Sequence, residues 1–357
     1  MIPTIGTIVV TTRCNFACTH CSVITSPYGK YKITEELISK FIDGLARIPS
    51  VRVVVFTGGE PTLLMNELTY GIEYATRKGF ITRLVTNGWW AQSEELAFRY
   101  IRMFKAKGLR EINTSYDDFR SKYVSIDNIA NLVKAALDEG LRVAVGVATI
   151  KRSYYTLERV KEHISKKIGV GIEELEKRVS FIEDQPTPVG RARLLYNADK
   201  SRFDLNREKL DLGCPNIGRV IALIPNGDIK VCCGHPIFHF TDDDIFLIGN
   251  IMHEDLVSMV KRAQRKLFYW WLHFLGPKKI LERIGAKEEG FTSLCHACDV
   301  ILENKEYQRR IYEYMEKHKF DILLNDIILS DNIVRLENVI RSLGLADMLK
   351  KMYMQSA

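Results

Sequence analysis

Three cysteines stand within eight residues near the start of the chain, in the order Cys14-Asn-Phe-Ala-Cys18-Thr-His-Cys21. Thiolates are soft ligands that suit iron–sulfur clusters or zinc. A 4Fe–4S cluster held by three ligands would keep one iron open to a small molecule, as a catalytic zinc keeps one open position. A zinc finger would normally supply a second pair of ligands nearby, but the next cysteine, Cys214, lies more than 190 residues downstream. The loop therefore favours an open iron–sulfur site over zinc.

The other five cysteines fall in the second half of the chain, at Cys214, Cys232, Cys233, Cys295 and Cys298. Eight cysteines in 357 residues are too few for a disulfide scaffold. The first residues carry no basic segment and no cleavage site of a signal peptide, so we expect a reducing, cytoplasmic compartment. Clustered cysteines in such a compartment indicate metal or catalytic sites.

A second segment that could bind a ligand, Gly58-Gly59-Glu60-Pro61, follows the β-branched run Val51–Phe56. Glycine lets a backbone approach a ligand closely, and a carboxylate can receive an ammonium group through charge-assisted hydrogen bonds. Alone, such a segment is more typical of a turn. Its place after a strand and downstream of the cysteine loop favours a ligand site.

The elements that must position these residues alternate between strand and helix over the first half of the chain. Thr34, Ser93 and Ser125 each precede a helical pattern as candidate N-caps. Six strand–helix units with short connections predict an α/β fold with parallel strands, a partial (β/α)6 TIM-like barrel whose chemistry lies at the carboxyl ends of the strands. The predicted strands are Ile5–Val10, Val51–Phe56, Ile81–Val85, Glu111–Thr114, Arg142–Ile150 and Val179–Glu183.

The pattern changes near Leu195. A short helix is predicted near Phe203–Leu210, and a hairpin follows, with strands Arg219–Ile224 and Ile229–Cys232 around an Asn-Gly turn. The sequence is helical again from Asp321 to its end. We therefore expect a barrel over residues 1–195, a cysteine-bearing extension over 196–320 and a helical tail over 321–357.

The spacing CxxxCxxC after the first strand and GGE after the second resembles the radical S-adenosylmethionine superfamily. The resemblance implies a 4Fe–4S cluster on Cys14, Cys18 and Cys21, with S-adenosylmethionine chelated at the open iron and cleaved to a 5′-deoxyadenosyl radical. It implies that residues 58–61 hold the methionyl amino group, and that His20 takes the position of an aromatic residue before the third cysteine. Asn87, Ser115 and Asp117 lie where such enzymes contact ribose or methionine, although each is also an ordinary polar turn residue.

Residues 188–192 resemble the segment after the sixth strand in the peptide-modifying branch of this superfamily. Within it, Arg191 either reaches the ligand or is solvated.

The second half resembles the auxiliary-cluster extensions called SPASM and twitch, through the Gly227-x4-Cys232 step, Gly249-Asn-Ile and the CxxC pair at Cys295. Full SPASM domains carry seven cysteines and two clusters, so the twitch-like form with one extra 4Fe–4S cluster fits this chain better. The resemblance implies the ligands Cys214, Cys232, Cys295 and Cys298. Zinc on the same four residues is the alternative.

Cys233 is the one cysteine that neither of these two clusters requires. It is interpreted as a small core residue, as an alternative ligand to Cys232, or as a catalytic thiol that donates a hydrogen atom to a carbon radical. Peptide epimerases of the superfamily resemble this plan. The leading hypothesis is therefore Cα epimerisation of a ribosomally made peptide, with flavodoxin or ferredoxin as the electron donor.

Alternative hypotheses are thioether or carbon–carbon crosslinking of a peptide, twitch-type dehydrogenation of a small alcohol, and a zinc-binding or electron-transfer module without catalysis. Many peptide-modifying relatives carry an N-terminal leader-binding domain, whereas here the barrel starts almost at residue 1. Leader-peptide recognition is therefore left unassigned, or it resides in a separate protein.

The composition limits which kinds of partner the chain requires. With 46% hydrophobic and 27% charged residues, the chain is typical of a globular protein. The net charge of +7 is modest and its basic clusters are scattered, so a nucleic-acid partner is not required. The longest apolar run, residues 267–275, is far shorter than the roughly 20 residues of a spanning helix, so we expect no membrane insertion. Its Tyr269-Trp270-Trp271 is interpreted as packing rather than as a substrate platform.

Overall fold

The computed structural model describes residues 2–23, 25–205, 210–235, 244–288 and 290–329. Its strands are β1 (Ile5–Val9), β2 (Val53–Thr57), β3 (Ile81–Val85), β4 (Glu111–Ser115), β5 (Arg142–Ala148), β6 (Val179–Asp184), β7 (Val220–Leu223), β8 (Asp228–Lys230) and β9 (Leu247–Asn250). They form one nine-stranded sheet in the order β6-β5-β4-β3-β2-β1-β7-β8-β9. The sheet is open, with β6 at one end and β9 at the other.

The helices between and after these strands are α1 (Glu35–Ala46), α2 (Met65–Arg77), α3 (Glu94–Ala106), α4 (Ile126–Asp138), α5 (Leu157–Ile168), α6 (Ile172–Arg178), α7 (Ala192–Ala198), α8 (Leu256–Ala263), α9 (Leu267–Phe274), α10 (Pro277–Arg283), α11 (Leu294–Glu303) and α12 (Lys305–Asp321). At least one helix separates each consecutive pair from β1 to β6, and all these pairs are parallel. The predicted partial barrel is therefore confirmed.

Local sequence signals explain where the barrel helices begin. Thr34 and Ser93 each accept a hydrogen bond from the backbone N–H three residues later, and Ser125 accepts one from Asp127. These caps satisfy donors that a helix start leaves without intrahelical partners. All three predicted caps are confirmed, and Thr156 caps α5 in the same way.

Several predicted boundaries shift by a few residues. The second strand is Val53–Thr57 rather than Val51–Phe56, and the fifth ends at Ala148 rather than Ile150. A single 3₁₀ turn, Pro61–Leu63, intervenes before α2, because Pro61 fixes a backbone angle suited to a helical first turn. The helix predicted near 203–210 falls largely on residues 206–209, outside the described residues.

The sheet does not stop at the barrel. Strand β7 pairs in parallel with β1, and β8 and β9 then add in antiparallel order. The predicted hairpin with its Asn226-Gly227 turn is confirmed, and Gly227 has the positive φ of +91° that such turns require. Its second strand ends at Lys230 rather than at Cys232, which leaves Cys232 in the loop beyond the sheet.

Apolar side chains from both halves form one main core. In α9, Tyr269 and Trp271 are fully buried, and the Trp271 indole donates a 2.9 Å hydrogen bond to the Asp326 carboxylate. These residues pack rather than line an open surface, as expected. Among the described residues, no helix is long and apolar enough to span a membrane. Of the predicted helical tail, residues 322–328 form a π-helical turn, and 330–357 lie outside the described residues.

Candidate active site

A cavity of about 370 Å³ opens at the carboxyl ends of the parallel strands. The chemistry-bearing residues predicted from the sequence that line it are Cys14, Cys18, His20, Cys21, Asn87 and Ser115. Six such residues, from two loops and the end of β4, therefore meet at one place. Residues 58–61 and Asp117 do not line the cavity. Glu60 and Asp117 instead bind Asn87 and Arg120, which do line it.

The cysteine loop lies between the cavity and the protein surface. Cys14 and Cys18 are buried, Cys21 is partly buried, and the intervening Ala17 and Thr19 are exposed. Burial raises the pKa of the Cys14 thiol to about 12 and that of Cys18 to about 11. Without a metal both thiols are protonated near neutral pH, so a bound metal must displace these protons.

The Gly-Gly segment holds the cysteine loop by close backbone contact. The Gly59 N–H donates to the Thr11 carbonyl at 2.7 Å, and the Glu60 N–H donates to the Arg13 carbonyl at 2.9 Å. A Cβ on Gly59 would lie 2.1 Å from the Arg13 carbonyl oxygen, and one on Gly58 would lie 2.5 Å from the Thr11 oxygen. The glycines thus permit approach of two backbones to each other, a role that the sequence prediction of ligand approach did not include.

The carboxylate of Glu60 is fully buried and accepts four hydrogen bonds. One oxygen accepts from the Thr62 N–H at 3.2 Å and from the hydroxyls of Thr62 and Thr86 at 2.6 and 2.7 Å. The other accepts from the Asn87 N–H at 2.7 Å. Burial raises the pKa of Glu60, and these donors oppose that rise. The geometry itself shows a brace between two loops, and the ammonium contact predicted for Glu60 stays a prediction.

Asn87 joins this brace to the cysteine loop. Its side-chain amide donates to the Asn15 amide oxygen at 2.8 Å and approaches the Cys14 sulfur at 3.9 Å. Its backbone is held by Glu60, and the same residue lines the cavity. Asn87 can therefore respond both to a ligand in the cavity and to the position of Cys14.

Asp117 anchors a cation that the sequence analysis missed. Its buried carboxylate accepts from the backbone N–H groups of Phe119 and Arg120 at 3.0 Å and pairs with the Arg120 guanidinium. Arg120 also donates to the His20 ring at 2.8 Å and lines the cavity. Burial, assisted by the Arg120 charge, lowers the pKa of His20 to about 2, so the imidazole is neutral. Nothing local distinguishes Arg120 from the many surface arginines of the sequence.

The cavity wall contains further residues that the sequence analysis did not single out. One is Gly146 in the middle of β5, and others are Asp184 and Gln185 at the end of β6. A glycine inside a strand pattern indicates that a ligand or another backbone approaches the strand closely. A polar pair at the carboxyl end of a parallel strand indicates the edge of the sheet where catalytic residues lie. Both signals were present in the sequence.

Residues 185–193, here called the connector, hold the cysteine loop from the other side. The Arg191 N–H donates to the Cys21 carbonyl at 3.0 Å, and the Arg191 guanidinium donates to the Cys18 carbonyl at 2.9 Å. A Cβ on Gly190 would lie 2.6 Å from the Ser22 carbonyl oxygen. Arg191 is thus only partly exposed and does not line the cavity; it braces the loop that carries the thiols.

The connector also reaches α11. The Gln185 amide donates to the Thr292 carbonyl at 3.5 Å, and Ser293 and Thr187 share a hydroxyl contact at 3.3 Å. Arg193 forms an ion pair with the buried Asp299. One short segment therefore touches the first cysteine loop and the helix that bears Cys295 and Cys298.

A second cavity gathers the four cysteines Cys214, Cys232, Cys295 and Cys298. Burial, with smaller contributions from neighbouring cysteines, raises the pKa of Cys295 to about 12 and raises those of Cys232 and Cys298 well above the usual value of a thiol. Cys295 and Cys298 lie in the first turns of α11, where the helix dipole favours thiolates. The structure brings together the four predicted auxiliary ligands, and their role as ligands stays a prediction.

Cys233 lines neither cavity. The residue is exposed at the surface, but the protein atoms around its thiol desolvate it, and this desolvation, with a smaller contribution from Cys214, raises the thiol pKa. Among the described residues, no three His, Cys, Asp or Glu side chains converge closely enough to hold a single metal ion. The cysteines of both cavities are grouped without meeting at one point.

Residues 8–178 match the family model described as the Radical SAM superfamily. The putative peptide biosynthesis protein YydG of Bacillus subtilis (strain 168) is 24% identical over 319 residues, which cover 86% of this chain and 94% of YydG. The antilisterial bacteriocin subtilosin biosynthesis protein AlbA of the same organism is 24% identical over 277 residues, 72% of this chain and 59% of AlbA.

Among solved structures, the crystal structure of BtrN in complex with AdoMet and 2-DOIA matches with a TM-score of 0.46 and 12% identity. The match covers 78% of this chain and 90% of BtrN.

The Gly59 contact generates a prediction. We expect Gly59→Ala to displace the cysteine loop, because its Cβ would meet backbone rather than a flexible side chain. The free energy of unfolding should fall by about 2 kcal/mol or more, and iron uptake should drop. Urea unfolding and iron content after anaerobic reconstitution measure these effects. The control is Gly171→Ala, where φ is −60° and no atom lies within 4 Å of the new Cβ. Equal behaviour of the two variants would contradict the contact.

The Glu60 brace generates a second prediction. In Glu60→Gln the new NH₂ group must face N–H or hydroxyl donors, so the free energy of unfolding should fall by about 1–3 kcal/mol. If the carboxylate also holds the ammonium group, affinity for S-adenosylmethionine should fall about tenfold or more. Urea unfolding and calorimetric titration measure the two effects separately. Glu95→Gln, at an exposed position, is the control. Unchanged stability would show that the brace is not stabilising, and unchanged affinity would exclude the ammonium contact.

Proposed function

We propose that this chain, whose residues 8–178 form a radical SAM domain, abstracts a hydrogen atom from a peptide substrate and inverts an α-carbon. The observation that carries the proposal is the meeting of Cys14, Cys18 and Cys21 at one cavity on the carboxyl edge of a parallel sheet. Enzymes of this superfamily use a 4Fe–4S cluster and S-adenosylmethionine, which on one-electron reduction supply a 5′-deoxyadenosyl radical that removes a hydrogen atom.

The residues present fit these groups. Three thiols on one loop can hold a cluster and keep one position open, since no other cysteine lines this cavity. A cavity of about 370 Å³ is within the usual range for a small-molecule site. Asn87, Ser115, His20 and Arg120 supply polar contacts around it.

The protein's own groups have distinct tasks in this proposal. Arg120, fixed by Asp117, presents a permanent cation to the cavity and suits a carboxylate. His20 remains neutral and accepts from Arg120, which fixes the orientation of both side chains. Glu60 and Asn87 hold the loop beside Cys14, so that the cavity is preorganised before any ligand binds.

The relatives support a peptide as the substrate. YydG is described as a putative peptide biosynthesis protein, and AlbA as a biosynthesis protein of the bacteriocin subtilosin. The match to YydG spans nearly the whole of both chains, so it includes the second half and not the radical SAM domain alone.

We assign Cys214, Cys232, Cys295 and Cys298 to an auxiliary 4Fe–4S cluster. They line one cavity, whose remaining wall is largely apolar, with Ile217, Phe246 and Leu272 among its residues. A dry site of this kind suits a cluster held by four thiolates. Gln185, which lines the first cavity, donates to the carbonyl of Thr292, three residues before Cys295, so one short segment joins the two sites.

Cys233 is proposed as the second hydrogen donor. Seven of the eight cysteines line the two cavities, and Cys233 is the remaining one. Inversion requires that hydrogen leave one face of the α-carbon and return to the other. A thiol can donate its hydrogen because the S–H bond is weaker than the C–H bond formed. The sulfur radical left behind then needs one electron and one proton, supplied by the external reductant and solvent.

The assignment of the first cluster predicts that each of the two clusters can be lost without the other. The variant Cys14→Ala/Cys18→Ala/Cys21→Ala should form no 5′-deoxyadenosine after reduction, because it lacks the open iron, while retaining the second cluster. A matched variant, Cys232→Ala/Cys295→Ala/Cys298→Ala, should lose the other cluster. Iron and sulfide analysis, with chromatography of the nucleoside, measures both. A first variant that still cleaves the cofactor would refute the assignment, and zinc retained in place of iron would refute the auxiliary cluster.

The hydrogen-donor role of Cys233 predicts a specific failure. Cys233→Ala should keep the iron content of the wild type and still form 5′-deoxyadenosine with a peptide substrate, but should yield no D-residue. In deuterated water the wild type should place one deuterium on the inverted carbon, because thiol protons exchange with solvent. Mass spectrometry and chiral amino-acid analysis give the readout.

Two outcomes would overturn that role. A Cys233→Ala protein that inverts and deuterates like the wild type does not use this thiol. A variant that loses a cluster identifies Cys233 as a ligand. A crosslinked or dehydrogenated product from the wild type would replace epimerisation as the reaction.

A further inference from the structure

The N-terminal segment that contains the first cysteine loop carries no acidic side chain of its own. Residues 1–34 contain no Asp or Glu, although the chain average of 44 in 357 residues would place about four there. The segment carries three cations, Arg13, Lys30 and Lys32. With residues of a second loop they form a surface here called the basic–tyrosine patch, comprising Arg13, Tyr28, Lys30, Lys32, Lys122 and Tyr123.

One half of the patch is fixed to the cysteine loop through backbone contacts. The Cys14 N–H donates to the Ser26 carbonyl at 2.9 Å, and the Thr12 N–H donates to the Tyr31 carbonyl at 3.0 Å. Gly29 packs so closely that a Cβ would lie 2.2 Å from the Thr12 carbonyl oxygen. The loop that carries Lys30 and Lys32 therefore moves with the first cysteine.

The other half approaches from the loop after β4. The Tyr123 hydroxyl donates to the Ala17 carbonyl at 3.0 Å, and its ring stacks on Phe16 at 5.1 Å between centroids. Lys122, next to it, is exposed. Cations and tyrosines thus flank the thiols on two sides.

The patch is available at the surface. Tyr28 is 88% exposed and Tyr123 is 42% exposed. Arg13, Lys30 and Lys32 are also exposed, and in the described part of the chain none of their side chains forms an ion pair. Of the acids that follow in the sequence, Glu36 pairs with Lys40 at 3.0 Å, and Asp118 accepts from the Tyr154 and Tyr155 backbone N–H groups.

The patch lies on the side of the cysteine loop that faces away from the cavity. Cys14 and Cys18 point into the interior, while Ala17 and Thr19 between and beside them are exposed. A substrate in the cavity meets β4, β5 and β6, whereas a macromolecule on the patch meets the outer surface of the loop. The patch therefore borders the outer surface of the loop that carries the thiols.

We propose that the basic–tyrosine patch docks an acidic one-electron carrier protein, such as a reduced flavodoxin. This inference rests on the proposed function, because a radical SAM site needs one electron from outside for each cleavage. The carrier is oxidised by one electron, the centre on the cysteine loop is reduced by one, and no bond or proton moves in this step.

Charge complementarity selects this occupant. Unpaired exposed cations attract an acidic surface and accelerate encounter, and exposed tyrosines are favoured at the centres of protein interfaces. A peptide substrate would have to reach the cavity instead.

The test uses two variants of equal charge. Lys30→Gln/Lys32→Gln alters the patch, and Lys166→Gln/Lys167→Gln removes two exposed cations from the far end of α5. Formation of 5′-deoxyadenosine is measured with reduced flavodoxin and, separately, with titanium(III) citrate. At low ionic strength, the flavodoxin-driven rate of the patch variant should fall about tenfold, while its titanium-driven rate and both rates of the control remain those of the wild type. Added salt should slow the wild type and the control but have little effect on the patch variant.

The outcomes separate docking from chemistry. An unchanged flavodoxin-driven rate in the patch variant overturns the proposal, as does a loss with both reductants, which would place the lysines in the site itself. Binding of an RNA oligonucleotide that depends on Lys30 and Lys32, without any effect on the flavodoxin-driven rate, would assign the patch to nucleic acid and also overturn it. Failure of the wild type with titanium(III) citrate would refute the proposed function. Docking would then still be tested by titrating flavodoxin against the wild type, the patch variant and the control variant and comparing the three affinities.

Discussion

The buried carboxylate of Glu60 is the interaction on which the geometry of the first cavity depends. A fully buried carboxylate is costly unless donors surround it, and here Thr62, Thr86 and Asn87 supply four hydrogen bonds. These bonds join the loops after β2 and β3, and Asn87 extends the connection to the cysteine loop. The backbone contact of Gly59 with Arg13 completes a closed ring of loops. Because each loop is held by the others, the three thiols face one cavity without support from a regular element.

The extension of the sheet beyond the barrel determines where the second group of cysteines lies. Strand β7 adds beside β1, the strand that leads into the first cysteine loop. The hairpin that follows ends at Lys230, whose ammonium group forms a fully buried ion pair with Asp244 at 2.7 Å. Loss of either partner of a buried pair would leave an uncompensated buried charge, so the pair fixes these two segments against each other. Cys232 follows two residues later, so the sheet and this ion pair together hold it near the other three cysteines of the second cavity.

The parts of this fold that sequence patterns predicted are those with local causes. Caps at Thr34, Ser93 and Ser125, the Asn226-Gly227 turn and the six parallel strands all depend on residues within one turn or one strand of each other. The three-cysteine loop and the CxxC pair are local in the same sense. Contacts between distant segments could not be read in this way. Arg120 meets His20 across 100 residues, and Arg191 meets Cys18 across 173, yet both look like ordinary surface arginines in the sequence.

The connector of residues 185–193 has a consequence for how such a chain can change. At one end Arg191 fixes the loop of Cys18 and Cys21, and two residues later Arg193 fixes Asp299 beside Cys298. To keep this contact, a transplanted second half would have to present an acidic partner at the position of Asp299. A chimera joined near residue 195 would inherit a connector whose second anchor is missing. Compatibility between the halves thus depends on these polar contacts as well as on the shared core and the pairing of β7 with β1.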